Sequence, residues 1–364
     1  MKTRAALFHA VGEPFEVAEI EAADPGAHDV VVRMAAVGIC GTDLHQVKGE
    51  FQRPTPIVLG HEGAGVVEAV GDEVTLVRPG DEVVLSWAPS CGECADCHAG
   101  RPARCLALNR AIAAATLPDG TTGLSRGGQP VYRGTATGCL AERVVVSERV
   151  ALPTGGAIPL REAALLGCAA LTGVGAALFA ARVQEGAAVV VIGAGGVGQF
   201  VVQGCRIAGA SAIVVADPVE GRREQARRLG ATHAVAPEQL RETVKQVIPD
   251  GADVAFDAVG DPETTMLALR NAGSGSTTMI VGLPAAGRTL DLDPIELIRK
   301  EKWLAGTLYG SADPAVALPI LLDHVREGRL ELAPMLGPVF PLDDVNAAIE
   351  ASLAGAPGRV LVAP

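Results

Sequence analysis

The sequence predicts an α/β protein of two domains, one a doubly wound parallel sheet and the other β-rich and partly barrelled. Three observations carry this. The chain has 364 residues, too many for one ordinary core. Its first third reads as short strands cut by glycine- and proline-containing turns, whereas from residue 187 onward apolar strands alternate with helical stretches. A glycine fingerprint at Gly193, Gly195 and Gly198 falls where one of those strands gives way to a helix.

Residues 30–38 form a continuous apolar run, and 63–71 and 81–88 alternate more, as half-buried strands do. Gly12, Pro14, Gly71, Asp72, Pro79 and Gly80 mark the turns between them. Residues 159–182 read as one or two helices, with Pro159 near the first turn. Strands follow at 187–192 and 212–217, a charged helix at 221–231, and further strands at 252–260 and 277–283. Strand–helix–strand units with right-handed crossovers give a parallel sheet. After residue 308 the pattern leaves that sheet, and 358–364 reads as a last short strand. The predicted division is therefore 1–165, completed by 308–364, and 166–307.

Apolar residues at 49% and charged residues at 20% describe a globular chain. A net charge of -12 argues against nucleic acid and anionic membrane as partners, and aromatics at 3% leave few stacking platforms. The stretch 163–181 comes nearest to a membrane span, but its Thr172 and small residues suit a buried helix better. The first residues lack the apolar core of an export signal, so free cysteines point to a reducing cytoplasm.

Cys91, Cys94, Cys97 and Cys105 stand at spacing C-x2-C-x2-C-x7-C in the segment 90–106. That segment holds almost no core-forming residues, so a closed four-sulfur zinc site must supply its order. A disulfide pair is the competing reading. It fares poorly, because two residues between cysteines make a strained loop and nothing else here looks secreted.

Gly193, Ala194, Gly195, Gly196, Val197 and Gly198 make a tight turn whose amides and following helix can hold a pyrophosphate. Asp217 ends the next strand, 19 residues beyond Gly198. A carboxylate there accepts from ribose hydroxyls and repels a 2′-phosphate, which favours NAD over NADP. Arg222 and Arg223 pull the other way, although Arg223 reads better as part of a solvated helix face.

A second metal site is also written in the chain. Cys40 follows a strand in a glycine-flanked loop, His61 lies in residues 59–64, and Cys168 lies in the apolar helical region. Two sulfurs, one imidazole and an open fourth position make a catalytic zinc site. Taken alone, Cys168 would be a core residue.

Taken together, residues 37–45 (VGICGTDLH) and 60–67 (GHEGAGVV), the quartet, Gly167-Cys168 and the fingerprint occur in a telling order. The chain resembles the zinc-dependent medium-chain alcohol dehydrogenases over essentially its whole length. That resemblance implies a Rossmann domain beside a β-rich GroES-like catalytic domain, NAD as cofactor, and two zincs per chain, one catalytic and one structural. It implies that Cys40, His61 and Cys168 hold the catalytic zinc, with Glu62 able to approach it from behind. It implies that Asp43 fixes the His61 tautomer and that Thr42 and His45 relay the substrate proton. Thr172 would lie beside the nicotinamide, and Arg359 would reach the pyrophosphate unless it is merely an exposed arginine. Gly41 departs from the pattern, since arginine or histidine is common directly after the first ligand.

For the substrate, the resemblance implies a pocket near Trp87, Arg110, Gly138 and Cys139, with room expected at Gly138. The expected activity is reversible hydride transfer between a primary alcohol and NAD, the tail being moderately large, branched or aryl. A C=C or C=N reductase, a thiol-adduct formaldehyde dehydrogenase and a dinucleotide-binding protein without turnover are the alternatives. The intact Thr42–His45 pair argues against the reductase. The loop in 105–134 and the segments 277–284 and 302–310 resemble those of the dimeric members, so a homodimer is expected.

Overall fold

The computed structural model describes residues 1–88 and 90–364. The chain folds into two compact units, Met1–Cys168 with Asp313–Arg326 and Leu332–Pro364, and Ala169–Ala312 with Glu327–Glu331. The division expected at 165/166 and 307/308 thus lies at 168/169 and 312/313. The physical reason is local. The tight turn Ala164–Gly167 packs on the strand Glu82–Leu85, and a Cβ on Gly167 would stand 2.7 Å from the Leu85 carbonyl oxygen. Residues 327–331 join the second unit because Gln203 exchanges two hydrogen bonds with the Glu331 backbone, at 3.0 and 2.7 Å.

The first unit carries two sheets. One runs in the order Gln129–Pro130, Leu124–Arg126, Glu16–Ala22, Lys2–Phe8, Ile57–Val58, Tyr132–Arg133. The other runs Ala151–Pro153, Glu82–Leu85, Glu62–Val70, Asp29–Gly38, Arg359–Ala363, Leu336–Pro341, with Arg143–Ser147 also pairing on Asp29–Gly38. A core of valine, isoleucine and leucine closes this unit, as β-branched side chains on pleated faces do. The register matters for function. Gly38 pairs with Glu62 on one side and with Leu361 on the other, so the loops leaving these strands start side by side.

The second unit is a six-stranded sheet in the order His233–Val235, Ala212–Ala216, Ala188–Ile192, Ala252–Asp257, Ala272–Ile280, Trp303–Gly306. Every pairing is parallel. Counted along the chain, the order across the sheet is third, second, first, fourth, fifth, sixth. It reverses beside Ala188–Ile192, and ligands of such sheets bind outside the carboxyl ends of the strands at that reversal. Among the described residues no single helix is long and apolar enough to cross a membrane.

The helical stretch expected over 159–182 is broken into short pieces. The helix Leu160–Ala163 and the turn Ala164–Gly167 precede Cys168, and the helix Ala169–Gly175 follows it. Cys168 itself stands at the break, with φ -146°.

Candidate active site and metal centres

The loop after Asp29–Gly38 brings Cys40, which caps the helix Gly41–Val47. The loop before Glu62–Val70 brings His61, and the helix break brings Cys168. One donor atom from each of the three lies within 4.8 Å of the others, and all three residues are buried. The sulfurs of Cys40 and Cys168 are 3.9 Å apart. Two thiolates bound tetrahedrally to one zinc at 2.3 Å stand about 3.8 Å apart, so the spacing suits a shared ion. Three donors and an open fourth position fit zinc.

Asp43 organises this cluster from behind. Its Oδ2 accepts from the Cys40 backbone N–H at 3.1 Å, and its Oδ1 accepts from Gly60 N–H at 3.1 Å. The same Oδ1 lies 3.2 Å from His61 Nδ1, which leaves Nε2 for the metal. Burial works against a charged His61, yet the Asp43 carboxylate and Cys40 raise its pKa well above the ordinary value. The hydrogen bond with Cys168 pulls the Cys40 thiol well below its ordinary range and holds that of Cys168 well above.

Glu62 is fully buried. Arg359 Nε donates to its Oε1 at 3.0 Å, and Arg359 Nη1 donates to the Ile39 carbonyl at 3.0 Å. Burial raises the Glu62 carboxyl to about 7, against the pull of Arg359. Arg359 is therefore no exposed terminal arginine: its side chain is 11% exposed and ties the last strand to the two ligand loops. Glu62 Oε2 and Arg359 Nη2 have no hydrogen-bond partner among the described residues. Breaking such a buried pair on one side costs roughly 3–5 kcal/mol.

Thr42 and His45 lie half-buried on the helix Gly41–Val47, and Thr42 Oγ1 is 4.0 Å from Cys40 Sγ. Their spacing of three residues puts them on one helix face. His45 Nδ1 bonds the Glu50 carboxylate, and the Phe51 ring stands 4.9 Å from the imidazole. Trp87, 7% exposed, meets His61 edge-on with ring centroids 6.5 Å apart.

One pocket expectation changes. Gly138 has φ +68°, and a Cβ there would stand 3.2 Å from the Val58 carbonyl oxygen, so glycine serves a backbone need and leaves no room on that side. Arg110 is exposed on the helix Leu106–Ala114. Cys139 is buried near Gly63, and burial pushes its thiol up to about 12, as for an inert core cysteine. Glu50, Phe51 and Arg53 escaped the sequence reading. The half-buried Arg53 guanidinium is lowered by burial and raised by the Asp43 charge.

The quartet also assembles, one sulfur from each of Cys91, Cys94, Cys97 and Cys105 within 4.8 Å of the others. Cys97 Sγ lies 3.9 Å from Cys91 Sγ and 3.5 Å from Cys94 Sγ. Backbone amides of Glu93 and Cys94 draw Cys91 down to about 6, while burial and the Cys94 contact push Cys97 up to about 12. Zinc binding at such a set expels the remaining thiol protons.

In the second unit the three fingerprint glycines have separate physical reasons. Gly193 has φ +90°. A Cβ on Gly198 would lie 1.9 Å from the Gly193 carbonyl oxygen, whereas one on Gly195 would meet nothing within 4 Å. Turn, close helix approach and an open face toward a phosphate are the three tasks of this motif. Gly196 and Val197 open the helix Gly196–Ile207. Asp217 is buried and accepts from Ala194 N–H and Val219 N–H, both at 2.8 Å. Arg222 Nη1 is 3.9 Å from Asp217. Arg223 is not on a solvated face: it donates to the Asp217 and Pro218 carbonyls at 2.7 and 2.9 Å and pairs with Glu220. Thr172 is half-buried on Ala169–Gly175.

Two family models match this chain, the alcohol dehydrogenase GroES-like domain over residues 26–156 and the zinc-binding dehydrogenase over 196–323. An alcohol dehydrogenase zinc-binding domain protein from Burkholderia ambifaria is 32% identical, with 100% of this chain and 99% of that one covered at a TM-score of 0.94. Benzyl alcohol dehydrogenase from Acinetobacter calcoaceticus is 29% identical, with the same coverages and TM-score. A protein from Sinorhizobium meliloti 1021, described as a zinc-binding dehydrogenase and solved bound to NADP, is 27% identical with a TM-score of 0.82 and both chains fully covered.

Proposed function

Because this chain belongs to the zinc-binding medium-chain dehydrogenase/reductase family, we propose that it is a zinc- and NAD-dependent alcohol dehydrogenase acting reversibly on primary alcohols. The observation that carries the reading is the buried Cys40–His61–Cys168 cluster, oriented by Asp43, with the Thr42–His45 pair on the adjoining helix. Cys40, His61 and Cys168 would hold a catalytic zinc, and the quartet a structural one. The catalytic zinc would supply a Lewis acid that brings a hydroxyl pKa toward neutrality, and the nicotinamide would supply the hydride acceptor.

The chain's own groups do the rest. Asp43, bonded to His61 Nδ1, would leave Nε2 to hold the metal. Glu62, poised near neutrality, offers an adaptable carboxyl behind the ligands. The Thr42 hydroxyl would take the substrate proton and pass it toward His45. Trp87, against His61, provides an apolar wall that suits a bulky or aryl tail, in keeping with the benzyl alcohol dehydrogenase likeness.

Gly193, Gly195, Gly196, Val197 and Gly198 would hold the pyrophosphate. Asp217 would take the ribose hydroxyls, which supports NAD, and Arg222 at its edge would leave some tolerance of NADP. Thr172 would lie beside the nicotinamide, and Arg359 is engaged by Glu62 and the Ile39 carbonyl within the first unit. We expect a homodimer formed along the free edge of Trp303–Gly306, where Trp303 and the neighbouring Ile298 are both 69% exposed. A cytoplasmic location agrees with eight free cysteines.

The test is metal analysis followed by turnover on aliphatic, branched and aryl alcohols with NAD and with NADP. Two zincs per chain and NAD-linked oxidation of primary alcohols are expected. Two zincs with activity only on C=C or C=N substrates would overturn the alcohol reading.

A further inference from the structure

Helix Gly41–Val47 ends two residues after the relay candidate His45, and the chain then folds back over that residue. Gly49, with φ +76°, makes the reversal. Glu50 N–H and Phe51 N–H both donate to the His45 carbonyl, at 2.9 and 3.3 Å. This places the Glu50 carboxylate on His45 Nδ1 and the Phe51 ring 4.9 Å from the imidazole. The backbone, one ring nitrogen and the ring face of His45 are thus all engaged by two consecutive residues. The His45 side chain is 20% exposed and that of Glu50 33%, so the carboxylate is the more solvated of the two.

We propose that Glu50 is a positioning residue of the proton path, which fixes His45 in the tautomer carrying hydrogen on Nδ1 and keeps Nε2 free to accept. A carboxylate is acceptor-only, so the hydrogen between these groups belongs to Nδ1. Nε2 then has a lone pair. A neutral imidazole left to water prefers the opposite tautomer, with hydrogen on Nε2, and that form cannot accept a proton there. During alcohol oxidation a proton from the substrate hydroxyl arrives at Nε2 by way of Thr42. The Glu50 carboxylate stabilises the imidazolium so formed, the Nε2 proton then passes on to solvent, and the ring ends neutral with its hydrogen still on Nδ1, ready for the next turnover. No ring flip is needed, and Phe51 restrains one. In aldehyde reduction the same path runs backward. The inference rests on His45 being the outer member of the relay, and it adds the residue that holds that member in its accepting form.

The measurement is nitrogen-15 NMR of histidine-labelled holoenzyme, which reads the tautomer directly, together with steady-state kinetics. Wild-type protein should show His45 with hydrogen on Nδ1. Glu50→Ala should move it mainly to Nε2 and lower kcat about tenfold with little change in KM, less than the roughly 10²–10⁴-fold of deleting a proton-transfer group outright. Glu50→Gln, whose amide oxygen still accepts, should keep the wild-type tautomer. Added imidazole should restore part of the kcat lost in Glu50→Ala. Hydrogen on Nε2 in the wild type, or an unchanged tautomer and kcat in Glu50→Ala, would overturn the proposal. His45→Gln separates the premises. A fall in kcat there with no Glu50 effect removes Glu50 alone, whereas an unchanged kcat in His45→Gln removes the relay and this proposal with it.

Discussion

Cys91, Cys94, Cys97 and Cys105 come from one short loop, whereas Cys40, His61 and Cys168 are gathered from three separated segments of the first unit. The loop cluster is partly exposed at three of its four members, and the gathered one is buried throughout. The loop cluster uses four sulfurs and leaves no position open. The gathered cluster mixes two sulfurs with an imidazole and keeps one position for something else. Their supports differ as well. Within the quartet the thiols lean on one another and on nearby amides, as when Cys94 N–H donates to Cys91 Sγ at 3.4 Å. The trio depends on residues from across the unit, Asp43 on one side and the Glu62–Arg359 pair on the other. A closed site can be encoded locally because its task is to order its own loop. An open site needs rigid elements to hold donors in place while the fourth position stays reactive.

Replacing Cys40 with Ser should give the largest contrast. Turnover should fall by at least about 10³-fold, the scale of losing several kcal/mol of metal assistance, while the melting profile stays close to wild type. Zinc content should drop from two per chain to one. Wild-type rates in this variant would remove the trio as the catalytic centre.

Cys97→Ser should invert that pattern. The quartet loses a donor, and the first unit should lose about 3 kcal/mol, the scale of deleting one cross-link. Solubility and zinc content should fall together, with the activity of the surviving folded fraction kept. Calorimetry with zinc analysis reads both effects. An unchanged melting profile and zinc count would mean the loop 90–106 owes its order to something other than metal.

The same contrast explains what could be read without the fold. The quartet and the glycine fingerprint are local, and their spacing alone states a geometry. The trio was legible only as a set, because Cys168 in an apolar stretch looks like core until the helix break at φ -146° turns it out. Asp43 was assigned to His61, but its bonds to the Cys40 and Gly60 amides, which join the two ligand loops, follow from tertiary pairing. Arg359 and Glu62 stand 297 residues apart and meet because Gly38 pairs with Glu62 itself and with Leu361 on the strand of Arg359. Gly138 looked like space and is a left-handed turn residue, a distinction set by φ rather than residue type. Glu50 gave no signal, since five residues beyond a helical histidine has no fixed geometry until a glycine turn brings it back.

Gly38→Ala is the smallest change and the sharpest on how the open site is held. The added methyl would stand 2.6 Å from Glu62 Oε1 and 2.9 Å from its carboxyl carbon, closer than real Cβ atoms come. Glu62 is fully buried and bonded to Arg359, so the strain must move the carboxyl, the strand or both. Overpacking of this kind costs about 1–3 kcal/mol. The effect should fall on one metal only. Zinc should exchange faster from the trio than in wild type, kcat should fall a few-fold, and the quartet should keep its metal. Isotope exchange of zinc, followed beside a melting curve, separates the two sites. If the trio's exchange rate and the melting midpoint both stay at wild-type values, Glu62 can swing aside without consequence and takes no part in holding the open site.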